Sequence, residues 1–122
     1  MIRIEKTTPR FKLVMVIERM GRDLNVSLHG GDESHIGAVA LAVPYQGQGR
    51  ERKADASVSL LTVTGHKEDE LARKISYTLA TAFNCTTATA CGIHIDNATG
   101  KEIADILEIA DRLLEEALQE LS

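Results

Sequence analysis

Three of the four histidines lie in short polar segments that interrupt the apolar patterns of the chain. An imidazole ring can transfer protons, bind a metal ion or donate hydrogen bonds near neutral pH. Each segment is therefore a candidate for ligand binding or catalysis. The segments read GGDESHIG at 30–37, TGHKED at 64–69 and GIHIDN at 92–97.

Two of these histidines fall at the carboxyl ends of predicted strands. His66 follows a strand predicted at 57–64, and His94 lies near the end of one predicted at 85–95. Ligands of open α/β sheets bind in the crevice outside such ends. Helices begin after both segments, and their free backbone N–H groups attract anions. The loop at 30–31 can reach the same end, so a ligand site is predicted there.

Individual residues in these segments suit a ligand site. Gly92, His94 and Asp96 share one face of their strand, and Gly92 leaves space beside the ring because it has no side chain. Lys67 stands at a helix start, where a positive charge opposes the helix dipole, and phosphate binding would explain it. A protonated His66 would also place a positive charge at the positive end of the helix dipole. This unfavourable interaction favours an uncharged, ligand-binding ring at His66.

Each feature also has a purely structural interpretation. The Gly30–Gly31 pair, taken alone, is more typical of a turn that needs positive φ. A single strand histidine such as His94 is more often a hydrogen-bonded core residue than a ligand, and Asp96 suits a helix cap. The acidic residues at 68–70 suit the first turn of a helix as dipole partners, so we assign them no catalytic role.

The periodicity of apolar residues supplies the elements that carry these segments. Period-two alternation predicts a hairpin around a turn at 20–23, followed by further strands. Apolar residues then recur every three or four positions, which predicts a helix over 67–83. Thr99 and Glu102 form a capping box that starts a last helix. The predicted strands are 11–17, 24–28, 36–43, 57–64 and 85–95.

This order of elements predicts an α+β fold in a single domain of residues 1–122. We expect one mixed, mostly antiparallel sheet in the order β-β-β-β-α-β-α, with two helices packed on one face. The fourth and fifth strands, joined by the first helix, should run parallel. The third strand is almost entirely small and apolar, which predicts burial on both faces. The face without helices needs cover, so a homodimer is expected.

Composition argues against several classes of function. The 122 residues carry a net charge of −4 and 3% aromatic residues without tryptophan, which disfavours a nucleic-acid partner. No apolar run approaches the ~18 residues of a membrane span, and the N-terminus lacks the apolar core of a signal peptide. The two cysteines, six positions apart in one predicted strand, are too far apart for a disulfide bond and should be free and buried. A cytoplasmic location without membrane contact is expected.

The three polar segments, in this order, resemble the prenylated-flavin chaperone family. Its members are the small D subunits of gallate and related hydroxyarylic-acid decarboxylase systems. The order of strands and the terminal helix match as well, so the resemblance covers nearly the whole chain. The matching residues are GGDESHIG at 30–37, VTGHKED at 63–69 and CGIHIDNATGKEI at 91–103.

The resemblance implies a small dimeric protein that binds prenylated FMN, or FMN. Such a protein would hold the reduced cofactor made by a flavin prenyltransferase. It would deliver that cofactor to a UbiD-type decarboxylase, or help to mature it there, with no turnover of its own or at most assisted oxidation of the flavin. We expect the flavin phosphate at His66 and Lys67 and the ring system near His35 and His94. The cofactor-binding residues carried over by motif are Gly30, Gly31, Asp32, His35, Gly37, His66, Lys67, His94 and Asp96.

Two other functions fit the same residues. His35, His66 and His94 could hold a divalent metal ion for hydrolysis or oxidation, although their spacing is not a local metal-binding signature. The chain could instead be a pure protein-assembly chaperone, similar to the proteasome assembly chaperones, with structural histidines. Metal analysis tests the first alternative, and alanine variants of the histidines test the second.

Overall fold

The computed structural model describes residues 1–46, 54–63 and 68–122. Within these residues six strands form one mixed sheet and two helices pack against it, which confirms the α+β prediction. The strands are β1 (Ile2–Thr7), β2 (Lys12–Met20), β3 (Asp23–Gly31), β4 (Glu33–Gln46), β5 (Ala54–Thr62) and β6 (Thr87–His94). The helices are α1 (Asp69–Phe83) and α2 (Gly100–Leu121).

The order of strands across the sheet is β1-β2-β3-β6-β4-β5. β3 and β6 pair in parallel, and the other neighbouring strands that the structure describes pair antiparallel. β5 and β6 run in the same direction, as predicted, but β4 lies between them. The connection through α1 therefore passes over one strand. As a result, the ends of β3 and β6 lie side by side, with Gly31 opposite His94.

β1 forms an edge of the sheet and was not among the predicted strands. Ile2 and Ile4 pack against the core, whereas Arg3 and Glu5 are exposed and form an ion pair at 2.7 Å. The alternation is visible in the sequence, but the segment is short and its outer positions are charged. Charges on an edge strand discourage pairing with other chains, and they also weaken the apolar signal for a strand.

Local signals set the ends of the helices. α1 ends at Asn84, the predicted stop, which adopts a left-handed conformation with φ 50° and ψ 53°. Thr99 and Glu102 form the predicted capping box at the start of α2. Neither α1 nor α2, the helices of the described residues, is long and apolar enough to cross a membrane.

The core lies between the helices and one face of the sheet. Ser76 of α1 ties the two layers together, because its hydroxyl donates to the carbonyl of Ala40 at 3.1 Å and lies 2.7 Å from the hydroxyl of Thr89. Cys85 and Cys91 are buried and free, as predicted. The largest fully buried apolar side chains are Leu13, Met15, Ile17, Leu28, Ile75, Leu79 and Leu113.

The opposite face of the sheet is open along β4 and β5. Leu41, Val43 and Leu61 keep 42%, 46% and 75% of their surface exposed. The prediction that the third predicted strand is buried on both faces is therefore wrong for a single chain. Alternate residues of β4 point to opposite faces, and the helices cover only one of them.

Candidate functional site

A bulge in β4 forms the centre of the candidate site. The pairing of β4 with β6 shifts between Ser34 and Ala38, so residues 35–37 stand opposite Gly92. The backbone of the bulge lies directly on Gly92, since a Cβ atom there would be 1.6 Å from the carbonyl oxygen of His35. Only glycine permits this approach. The bulge breaks the ladder and re-aims the His35 side chain.

The carboxylate of Glu68 reaches the opening that the bulge leaves in the sheet. Glu68 directly precedes α1 and is 7% exposed. Its Oε1 atom accepts a hydrogen bond from the backbone N–H of Ile93 at 3.3 Å and lies 3.3 Å from Nε2 of His35. A Cβ atom at Gly37 would lie 2.5 Å from Oε2 of Glu68. Glycine at position 37 therefore makes room for this carboxylate.

Glu68 was predicted to act only as a partner of the helix dipole. Consecutive acidic residues at 68–70 satisfy that role on their own, so nothing in the local pattern separates the first from the others. Burial distinguishes it, since Glu68 is buried whereas Glu70 is exposed. A buried carboxylate against a strand bulge is a long-range feature that short-range patterns do not report.

His94 completes a second pair of imidazole and carboxylate at the end of β6. Its Nε2 atom lies 2.8 Å from Oδ1 of Asp96, and its side chain is 46% exposed. The rings of His35 and His94 meet edge to face, with 6.3 Å between their centroids and 79° between their planes. Two imidazoles, each beside a carboxylate oxygen, therefore lie close together. The sequence led us to expect His66 in the same place, and that residue lies outside the described ranges.

The Gly30–Gly31 pair has a conformational reason to be glycine at both positions. The φ angles are 154° and 83°, in the half of φ space that other residues rarely adopt. A Cβ atom at Gly30 would lie 2.0 Å from the carbonyl oxygen of Lys12, and one at Gly31 would lie 2.2 Å from that of His94. The pair therefore lets the backbones pack closely where β3 ends.

Asp32, which the sequence analysis assigned to the cofactor, is held by protein groups. Arg10 donates to both of its carboxylate oxygens, at 2.5 and 2.8 Å, and the backbone N–H of Asp96 donates to Oδ2 at 2.8 Å. These bonds hold the pKa of Asp32 well below its ordinary value. No motif in the sequence pointed to Arg10, which lies outside the three polar segments.

Some predicted residues lie outside the described part of the chain. His66 and Lys67 belong to the undescribed range 64–67, so their prediction as cofactor-binding residues stays a prediction. In the described ranges, no group of three or more His, Cys, Asp or Glu side chains could hold a metal ion.

His29, to which no role was assigned from the sequence, lies beside the bulge. The distance between its Nδ1 atom and the hydroxyl oxygen of Ser34 is 3.0 Å.

The cysteine beneath the site is not an activated nucleophile. Burial, together with the nearby charge of Glu68, raises the pKa of the Cys91 thiol to about 12. A thiolate is the reactive form of cysteine, and a raised pKa makes it scarce near neutral pH. Among the described residues at this end of the sheet, imidazoles and carboxylates can form hydrogen bonds and exchange protons.

Comparisons with known proteins agree with this architecture. A crystal structure of a chaperone complex for yeast 20S proteasome assembly contains a chain that superposes with a TM-score of 0.59 at 14% identity. The match covers 99% of this chain and 96% of that chain, and at this identity it shows the fold alone. A search of curated protein sequences found no match.

The family comparison is more specific than the structural one. The model of the prenylated flavin chaperone LpdD-like domain matches residues 7–122. This range contains the β4 bulge, Glu68 and the His94–Asp96 pair. The chain therefore belongs to the prenylated flavin chaperone LpdD-like domain family.

Proposed function

We propose that the end of the sheet around His35 and His94 binds prenylated FMN. One observation carries this proposal: in a member of this family, the ring centroids of His35 and His94 lie 6.3 Å apart, and each ring lies beside a carboxylate oxygen. The flavin ring presents carbonyl oxygens and ring nitrogens, which imidazoles can serve as donors or acceptors. The assignment of the phosphate to His66 and Lys67 rests on the sequence alone.

The accessibility of the rings suits a carrier that must release what it binds. The side chains of His35 and His94 are 22% and 46% exposed, so a ligand can reach both without opening the core. The chain would hold the cofactor made by a flavin prenyltransferase and deliver it to a UbiD-type decarboxylase, or help to mature it there. A site whose side chains are partly exposed to solvent limits the affinity for the cofactor, and limited affinity favours such a transfer.

Co-purification of flavin tests the proposal. Protein co-expressed with a flavin prenyltransferase should carry roughly one prenylated FMN per chain, seen by absorbance and by mass spectrometry of the released ligand. His94→Ala should lower the bound amount about tenfold, since it removes one of the two imidazoles. Lys74→Ala, which breaks only a surface ion pair with Asp111, should bind like the wild type. Colourless wild-type protein would refute the proposal.

We also propose that the open face of the sheet is the interface of a homodimer. Leu41, Val43 and Leu61 form an exposed apolar strip along β4 and β5. Ala88 and Ala90, on the same face of β6, are small enough to let a second sheet approach closely. A second copy of this chain presents a matching strip, and isologous pairing would bury both.

Sedimentation measures the dimer directly. Wild-type protein should sediment at twice the mass of one chain, and Leu61→Glu should shift it to the monomer because a charge cannot be buried cheaply in an apolar interface. Ile103→Glu alters an exposed apolar residue of α2 instead, 52% exposed, and should leave the dimer intact. A wild-type monomer, or a Leu61→Glu variant that remains dimeric, would contradict this interface.

A further inference from the structure

Arg10 occupies a turn that fixes its backbone next to the candidate site. In the β1–β2 connection, the hydroxyl of Thr8 accepts hydrogen bonds from the backbone N–H groups of Arg10 at 3.2 Å and Phe11 at 3.0 Å. The backbone N–H of Thr8 donates to the carbonyl of Phe11 at 2.8 Å. These hydrogen bonds hold the Arg10 backbone in one position. Less conformational entropy is therefore lost when the Arg10 side chain makes further contacts.

The guanidinium of Arg10 joins three other segments of the chain. Its two Nη atoms donate to the two carboxylate oxygens of Asp32, between β3 and β4. Nη2 also donates to the carbonyl of Asp96 at 3.4 Å, and Nε lies 3.1 Å from Oε2 of Glu102 in the first turn of α2. A planar fork can make this set of bonds at once, whereas the point charge of a lysine cannot.

The same segments set the position of His94. The backbone N–H of Asp96 donates to Asp32 at 2.8 Å, and the backbone N–H of Asp32 donates to the carbonyl of His94 at 2.6 Å. Asp96 in turn contacts the His94 ring at 2.8 Å. Asn97, the next residue, has φ 51°, so the chain turns sharply there. Asp32 is thus the link between the Arg10 fork and the loop that orients the imidazole.

We infer that Arg10 is a positioning residue, which orients His94 for its ligand through Asp32 and Asp96. This inference rests on the proposed function only for the identity of the ligand. The Arg10 side chain is 42% exposed, so water screens its ion pairs and Arg10 should matter little for global stability. Its effect should instead be local, because one side chain connects the β1–β2 turn, the β3–β4 turn, the β6–α2 loop and α2.

Nuclear magnetic resonance of Arg10→Gln, without ligand, tests the positioning directly. Exchange of the Asp32 and Asp96 amide hydrogens should become about tenfold faster, and the ring signals of His94 should shift. The melting temperature should change little. Arg112→Gln, which removes a single exposed contact with Glu108 at 2.6 Å, should alter none of these signals. Unchanged His94 signals and Asp96 exchange in Arg10→Gln would overturn the inference.

Ligand binding and a conservative variant separate this inference from the proposed function. With prenylated FMN, Arg10→Gln should bind about tenfold more weakly than wild type. Arg10→Lys keeps the charge but loses the fork, so it should recover little of the binding, and full recovery would contradict the inference. If the wild type binds no flavin, the proposed function fails, but the ligand-free signals of His94 still decide the role of Arg10.

Discussion

Gly92→Ala should abolish flavin binding and lower the free energy of unfolding by about 3 kcal/mol. The new Cβ atom would lie 1.6 Å from the carbonyl oxygen of His35 and 2.3 Å from its carbonyl carbon. Both atoms belong to the backbone, so no side-chain rotation relieves the overlap. The bulge must move off β6, and His35 moves with it. Chemical denaturation and flavin titration measure the two effects.

Gly100→Ala is the matched control for this variant. Gly100 is the first residue of α2, and an added Cβ atom there meets nothing within 4 Å. Alanine also favours a helix over glycine, so Gly100→Ala should bind flavin normally and be as stable as the wild type or more so. Equal behaviour of the Gly92 and Gly100 variants would contradict the close approach of the bulge to β6.

Glu68→Gln should have the second large effect. The substitution keeps the volume of the side chain but replaces one carboxylate oxygen with an NH2 group, which cannot accept a hydrogen bond. The amide oxygen can keep the contacts of Oε1 with the Ile93 N–H and the His35 ring, but these contacts lose the negative charge of the carboxylate. The NH2 group takes the buried place of Oε2 beside Gly37. We expect a loss of about 2 kcal/mol in unfolding free energy and about tenfold weaker flavin binding. The pKa of Cys91 should fall, since the charge of Glu68 helps to raise it.

Glu70→Gln controls for charge at the same helix start. Glu70 also lies in the first turn of α1 but is exposed, so its substitution removes a similar dipole interaction without disturbing the sheet. It should cost less than about 1 kcal/mol and leave binding unchanged. If the two glutamine variants behave alike, Glu68 acts only through the helix dipole, as the sequence suggested.

Residue types and periodicity predicted most of the fold because the controlling signals are local. The hairpin turn at Gly21, the stop at Asn84 and the capping box at Thr99 each depend on residues within four positions. The order of strands across the sheet depends on long-range packing instead. A helical connection predicts that two strands run in the same direction, but it does not reveal that β4 enters between them.

In the candidate site, too, local sequence signals predicted some features, whereas others depend on contacts between distant segments. His94 was predicted at the carboxyl end of a strand, where ligands bind, and the loop at 30–31, which precedes His35, was expected to reach the same end. The bulge lies directly on Gly92, and Gly37 makes room for the carboxylate of Glu68, which comes from a third segment. Such contacts between distant segments leave no periodic signal. Arg10 is a further case, since its partners Asp32, Asp96 and Glu102 are separated along the chain.

A crystal structure of protein co-expressed with a flavin prenyltransferase tests the central claim most directly. We predict electron density for prenylated FMN at the end of the sheet, with its ring system in contact with His35 and His94 beside the β4 bulge. Glu68 should retain its hydrogen bond from Ile93 in that complex. Density for the cofactor elsewhere, with both imidazoles facing only solvent, would contradict the account.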